Sequence, residues 1–428
     1  MDKTKILIIS ALTAVGILVV ILVIGLISSG SSPYDVQAEL TVWGVGDNSS
    51  AYQGSIDGFN QTYPNIKVNY RGFDSVENYE RSLLNALAEG RGPDIFTIRN
   101  NDLFRKVNKI YPMPQNIYSL VDLRRDFPGI VEDNFYLFNT LFALPLSVDT
   151  LALIYNEDLF NEASIVFPPE NWTQFQENVI KITKKDDQGR ITLSGAAIGG
   201  DNSNIPTSKD IVSALFLQSG IRMVNNDYDS AVLSPPQSKG AFDFYTSFGK
   251  QGSPNYAWDT YMPNSREAFA NGEVAMILDY QSSIPFIKSK SPFINLKVAS
   301  FPQNSGASQV ITYANYWGYT VSNQSQNPNL SWEFIKFMTT NNRSAESYIS
   351  RTGKPPALRT LINNNLNDLD LGVFSKQVLT AKSWPEPDPE RVDAVFSSMI
   401  RTAIDTSQNS LSVIRGGESE VTRLMIRN

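Results

Sequence analysis

The sequence predicts an α/β protein in which strands and helices alternate around a parallel sheet, behind one N-terminal transmembrane helix. Three observations predict it. Between Leu40 and Ile98 the apolar pattern runs strand, helix, strand, helix, strand at the spacing of crossover units. Residues Ile6 to Ile27 form an unbroken run of 22 without a charge. The 428-residue chain contains no Cys and no His, so the fold rests on a packed core, without disulfides or thiolate metal sites.

The uncharged run comes first. At about 1.5 Å per residue it is about 33 Å long, enough for a bilayer core of roughly 30 Å. A cleaved signal peptide is the competing reading, but its apolar region is shorter, about 7–15 residues. Lys3 and Lys5 precede the run and place the N-terminus in the cytoplasm. Residues 1–28 are therefore expected to be a cytoplasmic tip and anchor in the cell membrane. Residues 29–38, opening Ser-Gly-Ser-Ser-Pro, are expected to be a flexible linker. Everything beyond is expected outside the cytoplasm.

Leu40-Thr41-Val42-Trp43 reads as the first strand and Ile66, Val68 and Tyr70 as alternate positions of a second. Tyr79, Leu83, Leu84 and Leu87 share one helix face closed by Gly90, and Pro93 to Ile98 is a third strand. In open parallel sheets ligands collect at the carboxyl ends of the strands. Here those ends are Gly44 to Asn48, Gly72, and Arg99 to Asp102. A second unit begins near Asp149, with a strand at Leu151 to Tyr155, a helix carrying Trp172, Phe175, Val179 and Ile182, and a helix from Ile211 closed by Gly220. A short helix, Ser265 to Gly272, runs into a strand at Val274 to Leu278. The C-terminal third is helical, with Trp332, Ile335 and Met338 on one stripe and Val392, Val395, Phe396, Met399, Ile400 and Ala403 on another.

Composition narrows the chemistry. With 36 Lys and Arg against 43 Asp and Glu, the net charge of −7 disfavours binding to nucleic acid. Without His or Cys there is no Ser-His-Asp triad, no two-His zinc site and no thiol nucleophile. No phosphate-binding loop is present, and Gly44-Val45-Gly46 lacks the third glycine of a dinucleotide fingerprint, since Ser49 stands there. Asp368 and Asp370 miss calcium-loop spacing and read as a polar turn. No metal, cofactor or catalytic residue is assigned. Aromatic residues carry more information. Trp43, Trp258, Tyr280, Tyr316, Trp317 and Trp384 fall in loops or at strand ends among Asp, Asn, Ser and Pro. There a flat ring can stack on a sugar while polar neighbours bond its hydroxyls. Trp172 and Trp332 sit on helical faces and read as core.

Taken in order, several phrases resemble the family 1 extracellular solute-binding proteins, the maltose and multiple-sugar branch of ABC-importer receptors. They are Leu40 to Trp43; Phe59 to Val68; Leu83-Leu84-Asn85-Ala86-Leu87-Ala88-Glu89-Gly90-Arg91-Gly92-Pro93-Asp94-Ile95-Phe96; Leu144-Pro145 followed by Leu153 to Phe160; and Phe269-Ala270-Asn271-Gly272-Glu273-Val274-Ala275-Met276. The resemblance covers roughly residues 39 to 425. It implies the two-lobe type II periplasmic-binding-protein-like fold, with a cleft between lobes joined near 148–150, 299–301 and 322–325. Lobe 1 would take 39–148 and 302–322, and lobe 2 would take 149–301 and 323–428. It implies no catalysis, a small solute that is a sugar or oligosaccharide, and a partner in the permease subunits of an ABC transporter. Carried over by position, the ligand-binding residues would be Trp43, Asp47, Asn48, Arg99, Asn100, Asp149, Trp258, Asp279, Tyr280, Tyr316 and Trp317. Two other functions fit the residues: a membrane-anchored carbohydrate-active enzyme using an Asp/Glu pair, and the ligand-binding subunit of a sensor, which would need a partner chain.

Overall fold

The computed structural model describes residues 37–406 and 408–426. The anchor expected over 6–27 lies outside them. No helix among the described residues is long and apolar enough to cross a membrane.

The first sheet is built on strands β1 (Ala38–Val45), β2 (Ile66–Phe73) and β3 (Ile95–Arg99). β1 is central to the other two and parallel to both, with Leu40 opposite Val68 and Val42 opposite Ile95. β3 is buried on both faces from Ile95 to Ile98, as expected of a strand covered by helices on each side, and emerges only at Arg99. The connecting helices are α1 (Gln53–Asn60) and α2 (Val76–Ala88). α2 starts at the Ser75 hydroxyl, which accepts from the Asn78 N–H, a cap worth about 1 kcal/mol. It buries Tyr79, Leu83 and Leu87 and stops at Gly90, whose φ of +69° suits glycine. The late strand Trp317–Ser322 runs antiparallel to β3, with Trp317 opposite Arg99. It therefore starts at the sheet edge where the parallel strands end.

The second sheet has Ala152–Asn156 at its centre, paired antiparallel with Met276–Asp279 and Leu296–Ala299. Helices cover it, among them Trp172–Ile182, Ser208–Gln218 and the C-terminal pair Pro389–Asp405 and Ser410–Ile426. Trp172, Phe175, Val179 and Ile182 are all buried here.

The described residues form two separate hydrophobic cores. One holds side chains from Leu40 to Val148 and from Ala314 to Ala381; the other holds Leu151 to Tyr313 and Trp384 to Leu424. The chain thus crosses near 148–151, 313–314 and 381–384. This division differs from the expected one, which gave 302–322 to lobe 1 and 323–428 to lobe 2. Trp332, Ile335, Met338 and Tyr348 pack in the first core, not the second. The reason is physical: a helical stripe says that a face is buried, not which core buries it. The three crossings meet as one small sheet. Thr312–Asn315 lies in its middle, pairing with Ala381–Lys382 on one side and with Asp149–Thr150 on the other.

Candidate functional site

A cleft of about 780 Å³ opens between the two cores, lined from the first by the loop after β1, Arg99 and Trp317, and from the second by Asp210, Arg266 and Tyr280. The carboxyl ends of β1 and β3 supply its first wall, as open-sheet geometry dictates.

The loop after β1 turns at Gly46, which has φ +79° and donates its N–H to the Phe73 carbonyl at 3.0 Å. Gly72 lets that loop lie close, because a Cβ there would stand 2.3 Å from the Asp47 carbonyl oxygen. Asp47 is thereby fixed among donors. Its Oδ2 accepts from Tyr348 Oη at 2.7 Å and Tyr52 Oη at 3.2 Å, and its Oδ1 from Lys354 Nζ at 2.6 Å. Tyr52 in turn bonds Tyr319 Oη at 2.5 Å.

At the floor, Arg99 lies over the Trp317 ring at 5.4 Å, and Tyr79 meets that ring edge-on at 5.8 Å. The second wall is anionic but held. Asp149, at the first crossing, accepts the N–H groups of Gln281 and Ser282, each at 3.0 Å, and its own neighbour Thr150 at 2.9 Å. Burial nevertheless pushes its carboxyl up to about 6, against the pull of those N–H donors. Asp210 accepts Tyr280 Oη at 2.7 Å, and burial with the Asp210 charge beside it holds that phenol well above its usual range. Arg266 forks onto Asp279 at 2.7 and 2.9 Å.

Of the residues singled out in the sequence, Asp47, Asn48, Arg99, Asp149, Tyr280, Tyr316 and Trp317 line this cleft. Tyr316 does so with little of its side chain, since it is buried and donates to Asn134 Oδ1 and the Ile130 carbonyl. Four do not line it. Trp43 packs on Phe73 with Arg71 over its face. Asn100 is buried, accepting the Tyr316 N–H and donating to the Ala314 carbonyl. Trp258 is in the second core, where its Nε1 finds no acceptor among the described residues. Asp279 is buried behind Arg266 and orients it. The sequence reading missed Asp210, Arg266, Tyr348, Arg351 and Lys354. Arg266 carried a signal, an acid on the next strand 13 residues on. Lys354 carried none, because its partner Asp47 is 307 residues away.

Among the described residues no cluster of three or more acidic side chains could hold a metal ion.

A family profile described as bacterial extracellular solute-binding protein matches residues 44–342. A putative binding protein of Brucella abortus is 23% identical over 61% of this chain; the match spans 62% of that relative, less than two thirds of its length. An ABC transporter extracellular-binding protein of Pyrococcus horikoshii, itself uncharacterized, is 21% identical over 76% of this chain and 75% of its own. The solved structure of the sugar-binding protein MalE of Xanthomonas citri superposes with a TM-score of 0.76. It covers 91% of this chain and 98% of that one, at 20% identity, and so is alike in fold.

Proposed function

This chain belongs to the bacterial extracellular solute-binding protein family, and from that premise we propose that it is the receptor of an ABC importer, with a sugar or oligosaccharide as its solute. One observation carries the reading: a 780 Å³ cleft at the carboxyl ends of β1 and β3 takes its lining from both cores and straddles the crossings that join them. A solute that touches Asp47 and Trp317 on one side and Asp149 and Tyr280 on the other favours the closed arrangement of the lobes over the open one. The lining suits a polyol. Trp317 offers an aromatic face, while Asn48, Ser147, Gln281, Ser282 and Asn315 offer neutral donors and acceptors. The names of the Xanthomonas and Pyrococcus proteins support sugar as cargo and an ABC permease as partner.

In this reading the protein binds without turnover. Asp47, Asp149 and Asp210 are each engaged by neighbours and serve as acceptors for hydroxyls. The uncharged run at 6–27 tethers the receptor to the membrane on its outer side. Thermal unfolding scanned against sugars, polyols and peptides tests the reading. A solute that binds only the folded chain raises the midpoint as its concentration exceeds its Kd. A raised midpoint with one sugar class is expected; a shift with peptides alone would overturn the sugar assignment. Turnover of chromogenic glycosides, abolished by a single carboxylate substitution, would overturn the receptor reading.

A further inference from the structure

Four cationic side chains line the cleft: Arg99, Arg266, Arg351 and Lys354. Three are engaged. Arg266 forks onto Asp279, Lys354 bonds Asp47, and Arg351 donates to the Ser50 carbonyl at 3.0 Å. Arg99 differs. Among the described residues no carboxylate lies within ion-pairing distance of it, and its contact is the Trp317 ring. The nearest acid along the chain, Asp102, is taken by Arg105 at 2.8 Å and Lys106 at 2.7 Å. The field of Arg99 reaches Asp393 and draws that carboxyl down against the burial that raises it, but the two form no ion pair. Arg99 is half-buried and forms no ion pair among the described residues. It stands at the end of β3, held by the ladder to Trp317, on a rigid element and not on a loop.

We propose that the solute is an acidic saccharide and that Arg99 receives the carboxylate of a hexuronate unit, with Trp317 beside it. The inference rests on the sugar reading above and names its class. A guanidinium presents two parallel N–H donors in the plane that a carboxylate accepts. One guanidinium balances one negative charge. A phosphate monoester carries about −1.5 to −2 and would set its surplus against Asp47, Asp149 and Asp210 in the same cleft. The carboxylate is therefore the anion this lining fits, and the remaining hydroxyls meet its neutral donors.

The test is calorimetric titration of the full-length chain in mild detergent. The probes are trimers of galacturonate, glucuronate and mannuronate, neutral maltotriose, and glucose 6-phosphate. One of the uronates is expected to bind at least about tenfold more tightly than maltotriose, a gap of about 1.4 kcal/mol. Arg99→Gln is expected to weaken that uronate at least about tenfold more than it weakens maltotriose; Arg99→Lys should recover part of the loss. The unfolding midpoint of the unliganded Arg99→Gln chain should fall only slightly, since the contact with the Trp317 ring is lost but no ion pair is. Equal or tighter binding of maltotriose, or uronate binding indifferent to Arg99→Gln, overturns the inference. Preference for glucose 6-phosphate overturns the carboxylate assignment. Failure of every sugar, neutral and acidic, overturns the sugar reading itself and this inference with it.

Discussion

Lys209 and Glu386 form a buried ion pair, Nζ to Oε2 at 2.7 Å and to Oε1 at 2.9 Å, that ties the helix Ser208–Gln218 to the segment of the third crossing. Tyr313 Oη adds a donor to Glu386 at 3.2 Å, and the Glu386 N–H donates to the Asn101 carbonyl in the first lobe at 2.8 Å. Three carboxylates, Asp210, Glu386 and Asp393, share the field of this one ammonium. Burial above all, then the Asp210 charge, pushes the Glu386 carboxyl up to about 7 even against Lys209.

The pair predicts a pH dependence. A folded-state value above the ordinary one of 4.5 means the folded chain holds a proton that the unfolded chain releases. The stability this contributes is fully present below about 4.5 and is lost as pH rises through about 7. Glu386→Gln cannot titrate. Its unfolding midpoint should therefore gain on the parent protein steadily between pH 5 and 7.5. A constant gap between the two across that range would contradict the assignment.

Asp47 is the acceptor for two tyrosines and one lysine. Asp47→Ala removes it and leaves Tyr348, Tyr52 and Lys354 without their partner at the cleft wall. Lys354 is partly exposed, so water recovers some of the loss. Chemical denaturation should show a loss of about 2 kcal/mol, and solute binding should fall with it.

Gly72→Ala should act on binding more than on stability. The new methyl would meet the Asp47 carbonyl oxygen, a backbone atom that moves only if the whole loop moves. Overpacking of this kind costs about 1–3 kcal/mol. The displaced loop carries Asp47 and Asn48, so titration should show a weaker solute at a modest drop in midpoint.

Trp317 and Trp258 should separate cleanly. Trp317→Ala removes an aromatic face from the cleft floor and should weaken a bound saccharide by about tenfold or more. Trp258→Phe trims a ring from the second core whose N–H has no acceptor among the described residues. It should leave binding unchanged and shift stability by less than about 1.5 kcal/mol.

The elements were legible in the sequence wherever periodicity was strong. The faces of α2 and of Trp172–Ile182 are buried as their spacing implies, and Gly90, Gly220 and Gly272 all take positive φ beside helix ends. The first wall of the cleft was legible too, because open sheets bind at strand ends and Asp47, Asn48 and Arg99 lie there. The second wall was harder. Asp279 and Tyr280 adjoin it, but the side chain that reaches the cleft from that acid is its partner Arg266. Trp258 shows the limit. A tryptophan among polar neighbours in a loop reads the same whether the loop faces solvent or, as here, folds over a core. Lys354 shows another, since a pairing across 307 residues leaves no local trace.

The interleaving of the two cores has a consequence for how the chain acquires its structure. Val148 waits for Ala314 and Trp332 before its core can close, and Leu151 waits for Phe396 and Ile414. Neither half is a contiguous stretch that a growing polypeptide could fold on its own. The first is complete only once Ala381 has been made, and the second only with the final helix, where a Cβ at Gly417 would collide with Met399. Closing contacts at such sequence distances is entropically slow. Synthesis must therefore pass Ala381 before the first half can lock, and must reach the helix Ser410–Ile426 before the second can.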